Sequence, residues 1–331
     1  MSISIRESES IDEHLQSWKI AMQNMPWFRE HRLFDYDPDE IIEDIKQAYH
    51  DPNNLFLVAH QTKTREDVGV LGIIVKNNVA MLGRWEPAVV LGHGFGRVGK
   101  ALLDEAISQL RERHVSKIRC ILKFPYGRPQ RAMEHTKLYR KCGFTLERPC
   151  GVLLLADLSK ALTRTSTVAG LRVVEGSRLP LADFADFTER AYTSTPEDRL
   201  VHQEDLSISD RASVLKSLEA IKTGRLGSSL SECWRVAKVS NIPAGFIIGV
   251  IQKDSKYRPA RGIIAQLGVF PEFRRRGIGM VLIDELFRVF KEHGCAYSFV
   301  GTPKANDPAL KLYCKMDHSP IFEQIDFHRT L

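Results

Sequence analysis

The sequence predicts an α/β protein with a mixed sheet, organised as two tandem copies of one domain. The first observation is an internal repeat, and the second is that helix and strand patterns alternate in both halves of the chain. A length of 331 residues agrees with two domains, since a domain usually has about 150. In each half the middle strands follow one another through short turns, which favours antiparallel pairs beside the parallel pairs of helical crossovers.

The repeat consists of two pairs of matching segments in the same order. Arg97 to Ala106 reads RVGKALLDEA and Gly277 to Leu286 reads GIGMVLIDEL, so that a glycine, a leucine and an Asp-Glu pair coincide. Lys137 to Lys141 reads KLYRK, and Lys311 to Lys315 reads KLYCK. The offsets are 180 and 174 positions, and two matches in nearly the same register favour duplication of one domain over chance.

Hydrophobic periodicity assigns the elements of the first half. The second helix is entered through Asp-Pro-Asp-Glu, a typical helix start. The predicted helices are Ile11 to Asn24, Asp37 to Tyr49, Lys100 to about Arg113, and Ala132 to Cys142. The predicted strands are Leu55 to His60, Val68 to Val75, Ala88 to Leu91, Lys117 to Lys123 and Val152 to Ala156.

The second half repeats this order of elements. The seam between the copies is expected at Leu158 to Gly170, LSKALTRTSTVAG, where small and polar residues separate two apolar strands. The predicted domains are therefore residues 1–160 and 170–331. The predicted helices are Leu179 to Ala191, Ser209 to Ile221, Gly279 to Glu292 and Asn306 to Met316. The predicted strands are Leu171 to Val174, Trp234 to Val239, Gly245 to Ile251, Gly262 to Val269 and Ala296 to Gly301.

The composition is that of an ordinary globular protein. Hydrophobic residues make up 43% and charged residues 27%, which excludes collagen-like, disulfide-scaffold and wholly disordered chains. No apolar run approaches the roughly 18 residues of a membrane helix, and the N-terminus MSISIRESES lacks the apolar core of a secretory signal. Six scattered cysteines form no C-x-x-C pair, so reduced core thiols and a cytoplasmic location are expected.

The segment Leu267 to Leu282, LGVFPEFRRRGIGMVL, has the composition of an anion cradle. A strand ends at Val269, Pro271 stops it, and a helix starts near Gly279. The two glycines let backbone N–H groups approach an anion closely, and the helix N-terminus adds about half a positive charge. Three arginines, Arg274 to Arg276, bring side-chain charge to the same place. A pyrophosphate site is predicted; a plain strand-to-helix turn with solvated arginines is the alternative.

At these residues the sequence resembles the GNAT N-acetyltransferase superfamily. Arg274 to Gly279 reads RRRGIG, which is similar to the acyl-CoA loop pattern Gln/Arg-x-x-Gly-x-Gly/Ala. Leu267 to Pro271 is similar to the family's fourth strand, and Asn306 to Lys315 resembles its asparagine and tyrosine helix. These motifs cover roughly Gly262 to Met316, and the order of helices and strands before them extends the resemblance over the second half.

The resemblance implies two tandem GNAT acyl-CoA N-acyltransferase domains with a mixed sheet splayed beside strand four. Pantetheine then inserts like an extra strand and pairs with the backbone of Leu267, Gly268 and Val269, while the loop holds the pyrophosphate. The residues implied to bind acetyl-CoA are Leu267, Gly268, Val269, Arg274, Arg275, Arg276, Gly277, Ile278, Gly279, Met280 and Asn306.

Tyr313 is the expected general acid. When CoA leaves as a thiolate, a tyrosine hydroxyl that keeps its proton at neutral pH can give that proton to sulfur. Asn306 and Tyr313 are two helical turns apart and so share one face. A packed aromatic without a catalytic role is the alternative. The chain departs from the family at Asp317 and His318, where Gly-Phe usually ends this helix.

The sequence assigns no general base. Ile263 to Val269 reads IIAQLGV and offers only Gln266 on the strand where family members often carry a glutamate, so a water relay is expected. The stretch from Glu197 to Asp210 carries further carboxylates at Asp198, Glu204 and Asp205. It is a candidate for attracting a cationic amine, with a solvated loop and a helix cap as the alternative.

The first half departs from the family pattern in its loop. The helix end is kept at Tyr139 to Phe144, but Gly94 stands where the arginine belongs and Arg97 where the first loop glycine belongs. A side chain at that glycine position would crowd the phosphates. We therefore expect a degenerate copy that binds CoA weakly or not at all, in an architecture similar to that of mycothiol-synthase-like tandem proteins.

Two other phosphate motifs fit the first half less well. Gly94 to Gly99 has the form G-x-G-x-x-G, but a dinucleotide fold needs an acid about 20 positions on, and His114 to Cys120 has none. Gly94 to Ala101 also resembles a phosphate loop, but Ala101 stands where Ser or Thr must bind magnesium.

The expected function is N-acetyl transfer from acetyl-CoA to a primary amine of an unidentified acceptor, by direct attack in the second domain. A non-catalytic CoA-binding, CoA-sensing or protein-interaction module is the alternative, since a fold does not guarantee turnover. The acceptor is expected to be a small molecule or a peptide amine. The net charge of +6 fits an anionic cosubstrate, and the eleven histidines show no metal-ligand spacing. No metal, membrane or nucleic-acid partner is expected; a homodimer stays open.

Overall fold

Helices and strands alternate along the chain in a computed structural model that describes residues 2–331 except 9, 11, 27–37, 83–86, 91, 162–167 and 203–209. The helices are α1 (Leu15–Met22), α2 (Pro38–Tyr49), α3 (Phe95–Glu112), α4 (Met133–Lys141), α5 (Leu181–Tyr192), α6 (Pro196–His202), α7 (Arg211–Lys222), α8 (Ile278–Glu292) and α9 (Asp307–Lys315). The strands are β1 (Ile3–Glu7), β2 (Leu55–Gln61), β3 (Asp67–Lys76), β4 (Val79–Leu82), β5 (Ala88–Val89), β6 (Lys117–Pro125), β7 (Thr145–Asp157), β8 (Leu171–Glu175), β9 (Trp234–Val239), β10 (Ile242–Gln252), β11 (Arg261–Val269), β12 (Tyr297–Pro303) and β13 (Ser319–Thr330). The predicted α/β class with parallel and antiparallel pairs is confirmed.

The chain forms two compact units that do not coincide with the two sequence copies. The first unit contains Met1–Cys150 together with Phe322–Leu331, and the second contains Gly151–Ile321. The last strand of each copy is thus exchanged: the chain's final strand, β13, is largely in the first unit, and the greater part of β7 is in the second. The prediction of a degenerate domain 1–160 and an acetyl-CoA domain 170–331 concerns function as well, and it stays a prediction.

The sheet of the first unit has antiparallel strands on both sides of one parallel step. β1, β2, β3 and β4 pair antiparallel in sequence, and β5 pairs with β3. The parallel step joins β4 to β6, which is reached through the crossover helix α3. β13 then pairs antiparallel with β6, with Phe322 opposite Pro125 and Thr330 opposite Lys117. The helix α3 buries Val98, Leu102 and Leu110 at helical spacing against this sheet.

The sheet of the second unit repeats this plan. β8, β9, β10 and β11 pair antiparallel in sequence, and β12 joins β11 in parallel after the crossover helix α8. β7 pairs antiparallel with β12, with Gly151 opposite Pro303 and Asp157 opposite Tyr297. The core lies between β10 and the helices on its two faces, where Phe246 meets Phe184 of α5 at 5.9 Å between ring centroids.

Most predicted elements agree with the structure within a few residues, and five elements differ from the prediction. α3 begins at Phe95, five residues before the predicted Lys100, because its N-cap is Gly94. The strands β1, β4 and β13 and the helix α6 were not predicted. The predicted starts Ile11, Asp37 and Ser209, the predicted strand end Leu91, and part of the predicted seam lie outside the described residues.

Four cysteines are buried and free, as expected for core thiols: Cys120, Cys142, Cys233 and Cys295. Burial raises the pKa of Cys233 to about 12 and that of Cys295 to about 11, so both thiols keep their protons. In the described part of the chain, no helix has both the length and the apolar character needed to cross a membrane.

Candidate active site

The central strands of the second unit separate partway along their length. The parallel register of β11 with β12 runs from Arg261 opposite Tyr297 to Ile264 opposite Val300 and stops there. At the same point β11 has a bulge, since Ile248 of β10 lies opposite Gln266 and the next residue lies opposite Ile264. A bulge bends and twists its strand, so β11 turns away from β12 after Ile264. The result is an opening along residues 265–269.

The loop after β11 leads directly to the N-terminus of α8. A short 3-10 turn covers Pro271–Phe273, and Arg275 has a φ of +63°. Gly277 is the N-cap with a φ of +87°, a conformation that glycine adopts without steric cost. The first helical hydrogen bonds return to the Gly277 carbonyl from Met280 and Val281, at 3.0 and 3.2 Å. The earlier N–H groups of the helix therefore point to its open end.

Gly279 serves helix packing. A Cβ atom at this position would lie 2.9 Å from Cδ2 of Leu312 on α9, which is too close for two carbon atoms. The equivalent Gly99 of α3 has the same relation to Leu138 of α4, at 2.7 Å. The glycine that the two sequence copies share thus lets the crossover helix pack against the next helix in both units. A direct role of Gly279 in phosphate binding stays a prediction.

The three loop arginines differ in their surroundings. Arg274 is half-buried, and its Nη1 and Nη2 donate to the Asp198 carboxylate at 3.0 and 2.9 Å. Its Nη2 also donates to the Ala191 carbonyl at 2.8 Å, and its Nε donates to the Val269 carbonyl at 3.0 Å. Arg275 and Arg276 are exposed beside the helix N-terminus. The charge available to an anion at this loop is therefore that of Arg275 and Arg276 first, since Asp198 balances Arg274.

Tyr192, the last residue of α5, occupies the edge of β11 inside the opening. Its hydroxyl donates to the Leu267 carbonyl at 2.8 Å and accepts from the Leu267 N–H at 3.1 Å. Its ring stacks on His202 of α6, with 4.8 Å between centroids and 30° between planes. The sequence-based reasoning missed Tyr192, because nothing in its neighbourhood in the chain marks it. The backbone groups expected to pair with pantetheine at Leu267 are thus already paired with a side chain.

The helix α9 brings Tyr313 into the same unit in a buried position. The side chain of Asn306 caps the helix, accepting from the Ala309 N–H at 3.3 Å, and Tyr313 is 6% exposed. Burial, and secondarily the proximity of Tyr192, raise the pKa of Tyr313 above its ordinary value. The phenol keeps its proton at neutral pH, which is the protonation state of a general acid. The roles of Asn306 and Tyr313 toward a substrate stay predictions.

At Asp317 and His318 the chain departs from the family pattern, but the backbone has the same geometry as at Gly143 and Phe144 in the first unit. Asp317 takes a φ of +60°, and the His318 N–H donates to the Tyr313 carbonyl at 3.0 Å. The His318 ring lies between Phe287 and Tyr313, at 5.3 and 5.5 Å between centroids. Burial lowers the pKa of His318 to about 4, although backbone carbonyls nearby oppose this shift. His318 is thus a neutral ring in the packing position beside Tyr313.

Several residues considered as the general base or as binding groups for the acceptor amine are hydrogen-bonded to other residues of the protein. Gln266 is buried, and its Oε1 accepts from the Thr188 hydroxyl at 3.1 Å. Asp198 holds Arg274, and Asp210 caps α7 by accepting from the Ser213 N–H at 2.8 Å. The alternative of a helix cap is therefore correct for Asp210, while Glu204 and Asp205 lie outside the described residues. Among the described residues, no group of three or more His, Cys, Asp or Glu side chains is arranged to hold a metal ion.

A protein-family model matches the part of the chain that contains this loop. Residues 201–317 fit the model of the Acetyltransferase (GNAT) family. Residues 201–317 of the chain therefore belong to the GNAT family. The match includes β11, the loop, α8 and α9, which are the elements around the opening.

A curated relative is similar to part of the chain. Acetyltransferase YE1169 of Yersinia enterocolitica is 32% identical over 87 residues, which are 26% of this chain and 57% of that protein. The chain therefore aligns with little more than half of the length of that relative.

Two solved structures extend the likeness to the fold of the whole chain. A tandem GNAT protein from the clavulanic acid biosynthesis pathway superposes with a TM-score of 0.56 and 13% identity, covering 99% of this chain and 98% of that one. A GCN5-related glucosamine N-acetyltransferase region in a fungal multi-domain β-N-acetylglucosaminidase gives a TM-score of 0.63 at 16% identity, over 99% of this chain and 38% of that one. At these identities the likeness concerns the fold, and it confirms the expectation of tandem GNAT folds.

Proposed function

We propose that the second unit transfers an acetyl group from acetyl-CoA to a primary amine. The observation that carries this proposal is the opening between β11 and β12, which ends at the N-terminus of α8 and has the buried phenol of Tyr313 in the same unit. Membership of the GNAT superfamily supports acyl transfer as the reaction class.

The residues present fit the two ends of an acyl-CoA molecule differently. At the loop, free N–H groups at the start of α8 and the exposed Arg275 and Arg276 favour a pyrophosphate, because each contributes positive charge. At the strand, Leu267 offers one N–H and one C=O group of the kind an amide pairs with, once the Tyr192 hydroxyl has moved away. Pantetheine binding therefore requires a rearrangement at Tyr192.

In the proposed reaction the neutral amine nitrogen attacks the thioester carbonyl carbon. A C–N bond forms, the C–S bond breaks, sulfur takes the proton of the Tyr313 hydroxyl, and the amine proton leaves to water, from which the Tyr313 oxygen regains a proton. The raised pKa of Tyr313 keeps the donor protonated until sulfur becomes basic. Gln266 has no ionisable group and already accepts from Thr188, which favours a water relay for the amine proton.

The acceptor is proposed to be a small molecule or peptide with a primary amine. Glu197 is exposed at the start of α6, whereas Asp198 is neutralised by Arg274, so the acidic stretch has less charge for an amine than its sequence suggests. We propose a reducing, cytoplasmic setting, in which buried free thiols persist.

The test is the release of CoA thiol from acetyl-CoA with a panel of amines, amino acids and peptide N-termini. Turnover with at least one amine, lost in Gly277→Asp, is the expected result. Gly277→Asp places a carboxylate at the helix N-terminus and strains the +87° backbone, so that phosphates are repelled. Absence of acetyl-CoA binding by calorimetry in the unaltered protein would contradict the proposal.

A non-catalytic acyl-CoA sensor is the second candidate, and one observation favours it. The Tyr192 hydroxyl closes the strand edge, so ligand binding would be coupled to a change at the end of α5 and at α6, which Arg274 and His202 tie to this edge. Binding of acetyl-CoA without thiol release across the whole amine panel is the result that would select this candidate.

A further inference from the structure

The first unit contains a polar pocket that the acetyl transfer in the second unit does not use. Its volume is about 610 Å³, within the range of small-molecule sites. At its base the Asp67 carboxylate accepts from His14 Nδ1 at 2.8 Å, from His60 Nδ1 at 2.7 Å and from the Ser17 hydroxyl at 2.8 Å. His14 is 4% exposed, so this network is largely removed from water.

These contacts fix the orientation of both imidazoles. Burial alone would raise the pKa of Asp67, but the hydrogen bonds from His14 and Ser17 and the nearby imidazoles outweigh it and hold the pKa below its ordinary value. An ionised carboxylate only accepts, so each Nδ1 carries a proton and donates it. Burial, opposed by Asp67 and aided by Arg6, lowers the pKa of His60, which leaves this ring neutral with an accepting Nε2.

Arg6 of the edge strand β1 satisfies the two Nε2 atoms. Its Nε donates to His60 Nε2 at 2.6 Å, and its Nη2 lies 3.4 Å from His14 Nε2. A planar guanidinium presents two donors in a fixed fork, which suits two separate acceptors better than an ammonium point charge does. The Arg6 side chain is exposed, so it can move from this position into solvent at little cost in free energy.

The charge of the lining changes when Arg6 is moved out. The remaining charged side chains at the pocket are the carboxylates of Glu13, Glu66 and Asp67 and the guanidinium of Arg65. This balance favours a cation over an anion. We propose that the pocket is a binding site for an external guanidinium group, which displaces Arg6 from the Nε2 atoms of His14 and His60.

The test uses the full-length chain and agmatine as the probe. Side-chain ¹⁵N resonances of the histidines report whether the Nε2 atoms of His14 and His60 change partner. The expected result is a saturable shift of both rings with agmatine. Arg6→Ala removes the internal competitor, and it should lower the Kd for agmatine by about tenfold if Arg6 fills the site about nine-tenths of the time.

A matched variant separates competition from general charge. Arg65 lines the same pocket, so Arg65→Ala removes one positive charge there without removing a partner of the Nε2 atoms. Its Kd should stay within about twofold of the unaltered protein. An equal gain in both variants, or no gain in Arg6→Ala, would overturn the proposal.

Further ligands test whether the site selects a guanidinium group and what kind of molecule carries that group. Putrescine, which has ammonium groups only, should bind about tenfold more weakly than agmatine to Arg6→Ala, since one ammonium does not span two acceptors. Equal binding by putrescine, or a response to zinc chloride without one to agmatine, would contradict a guanidinium site. Agmatine and the tripeptide Gly-Arg-Gly then distinguish a small guanidine from an arginine side chain, and binding by either one supports the site.

Discussion

The crossover helix begins at different points in the two units. In the second unit, Gly279 packs against Leu312 two residues after the N-cap Gly277. In the first unit, Gly99 packs against Leu138 five residues after the N-cap Gly94. Both N-caps have positive φ, at +75° and +87°. The helix of the first unit is therefore longer by about one turn, or about 4.5 Å, at the end where the second unit is proposed to bind acetyl-CoA.

This difference changes the reason for expecting a degenerate copy. Arg97 was expected to crowd phosphates from a loop position, but it lies exposed in the first turn of α3. The corrected physical reason is that the helix N-terminus has moved relative to the packed helix pair, and that a run of three arginines is absent from the sequence before it. The helix–helix contact is kept in both copies, while the N-terminus of the crossover helix varies.

The largest expected difference between the two units is the effect on acetyl-CoA affinity of a carboxylate placed at each N-cap. Gly277→Asp should lower acetyl-CoA affinity by more than about 100-fold, or about 2.7 kcal/mol, because its charge repels the pyrophosphate and its backbone is strained. Gly94→Asp is the matched control, with nothing within 4 Å of the added Cβ, and should leave the affinity unchanged. Calorimetry measures both, together with the stoichiometry. Two equally tight sites per chain, or an equal loss in both variants, would show that the first copy also binds.

The next effect concerns the paired tyrosines Tyr313 and Tyr139. Tyr313→Phe keeps the ring and removes the proton donor, so kcat should fall by roughly 10²-fold with little change in acetyl-CoA affinity. Tyr139→Phe makes the same change at the equivalent buried position of the first unit and should leave kcat as it was. Single-turnover kinetics are needed so that chemistry limits the rate. An unchanged kcat in Tyr313→Phe would remove this residue from the mechanism.

A third expected difference between the two units is the pH dependence of their stability. The first unit packs Phe144 on Tyr139 at 5.4 Å, where the second packs His318 on Tyr313 at 5.5 Å. The pKa of His318 is about 4 in the fold against an ordinary 6.5, so the unfolded chain binds a proton that the folded chain does not. The contribution of the neutral His318 to the free energy of unfolding is therefore fully present above pH 6.5 and is lost as the pH falls toward 4. The loss is about 2 kcal/mol at pH 5.

The substitution His318→Phe should remove this pH dependence. Chemical denaturation at pH 7 and pH 5 gives the free energy of unfolding, and the difference between the two values should shrink by about 2 kcal/mol in the variant. The same substitution at the exposed His50 is the control and should leave the difference intact. If His318→Phe and the unaltered protein lose stability equally between pH 7 and pH 5, His318 is protonated in the fold.

The smallest effect concerns the closed edge of β11 in the second unit. Tyr192→Phe keeps the ring on His202 but removes two hydrogen bonds that pantetheine must replace. Acetyl-CoA affinity should rise by about 3- to 10-fold, since each such bond contributes about 1 kcal/mol and some of it is regained by water. Tyr257→Phe, in the loop between β10 and β11 and before the end of β11 opposite to Leu267, is the control for calorimetry. Weaker binding in Tyr192→Phe would mean that the hydroxyl assists the ligand instead of competing with it.

Local patterns predicted most of the fold because they depend on neighbours in the chain. The apolar spacing of α8 and the run of β10 are read directly from the sequence, and the structure has both within a few residues. β13 was missed although its Phe322 and Phe327 are buried, because strand partners are chosen across long separations. The exchange of β7 and β13 between units follows from the same non-local pairing and has no local signal.

In the candidate site, too, the local features were predicted from the sequence and the long-range contacts were not. The motif from Arg274 to Gly279 was sufficient to locate the loop and the helix start. Glycine favours a turn and a helix start at these positions whatever side chains the rest of the fold brings near them. The pairing of Arg274 with Asp198, and of Tyr192 with Leu267, depends on which side chains the packing of α5 and α6 brings to the strand. The partner of Asp198 is 76 residues away in the sequence and could not be predicted, whereas the helix cap by Asp210 is local and was among the alternatives.

The sequence by itself determined the duplicated α/β fold and the position of the arginine-glycine loop before α8, since periodicity, turn chemistry and motif spacing act over a few residues. Only the tertiary structure decided that Gly279 serves packing, that Tyr192 closes the edge of β11, and that Asp67 joins His14 and His60 under Arg6. These features join residues that are distant in the chain. Their energies depend on burial and on distances of about 3 Å, which only the packing of whole elements sets.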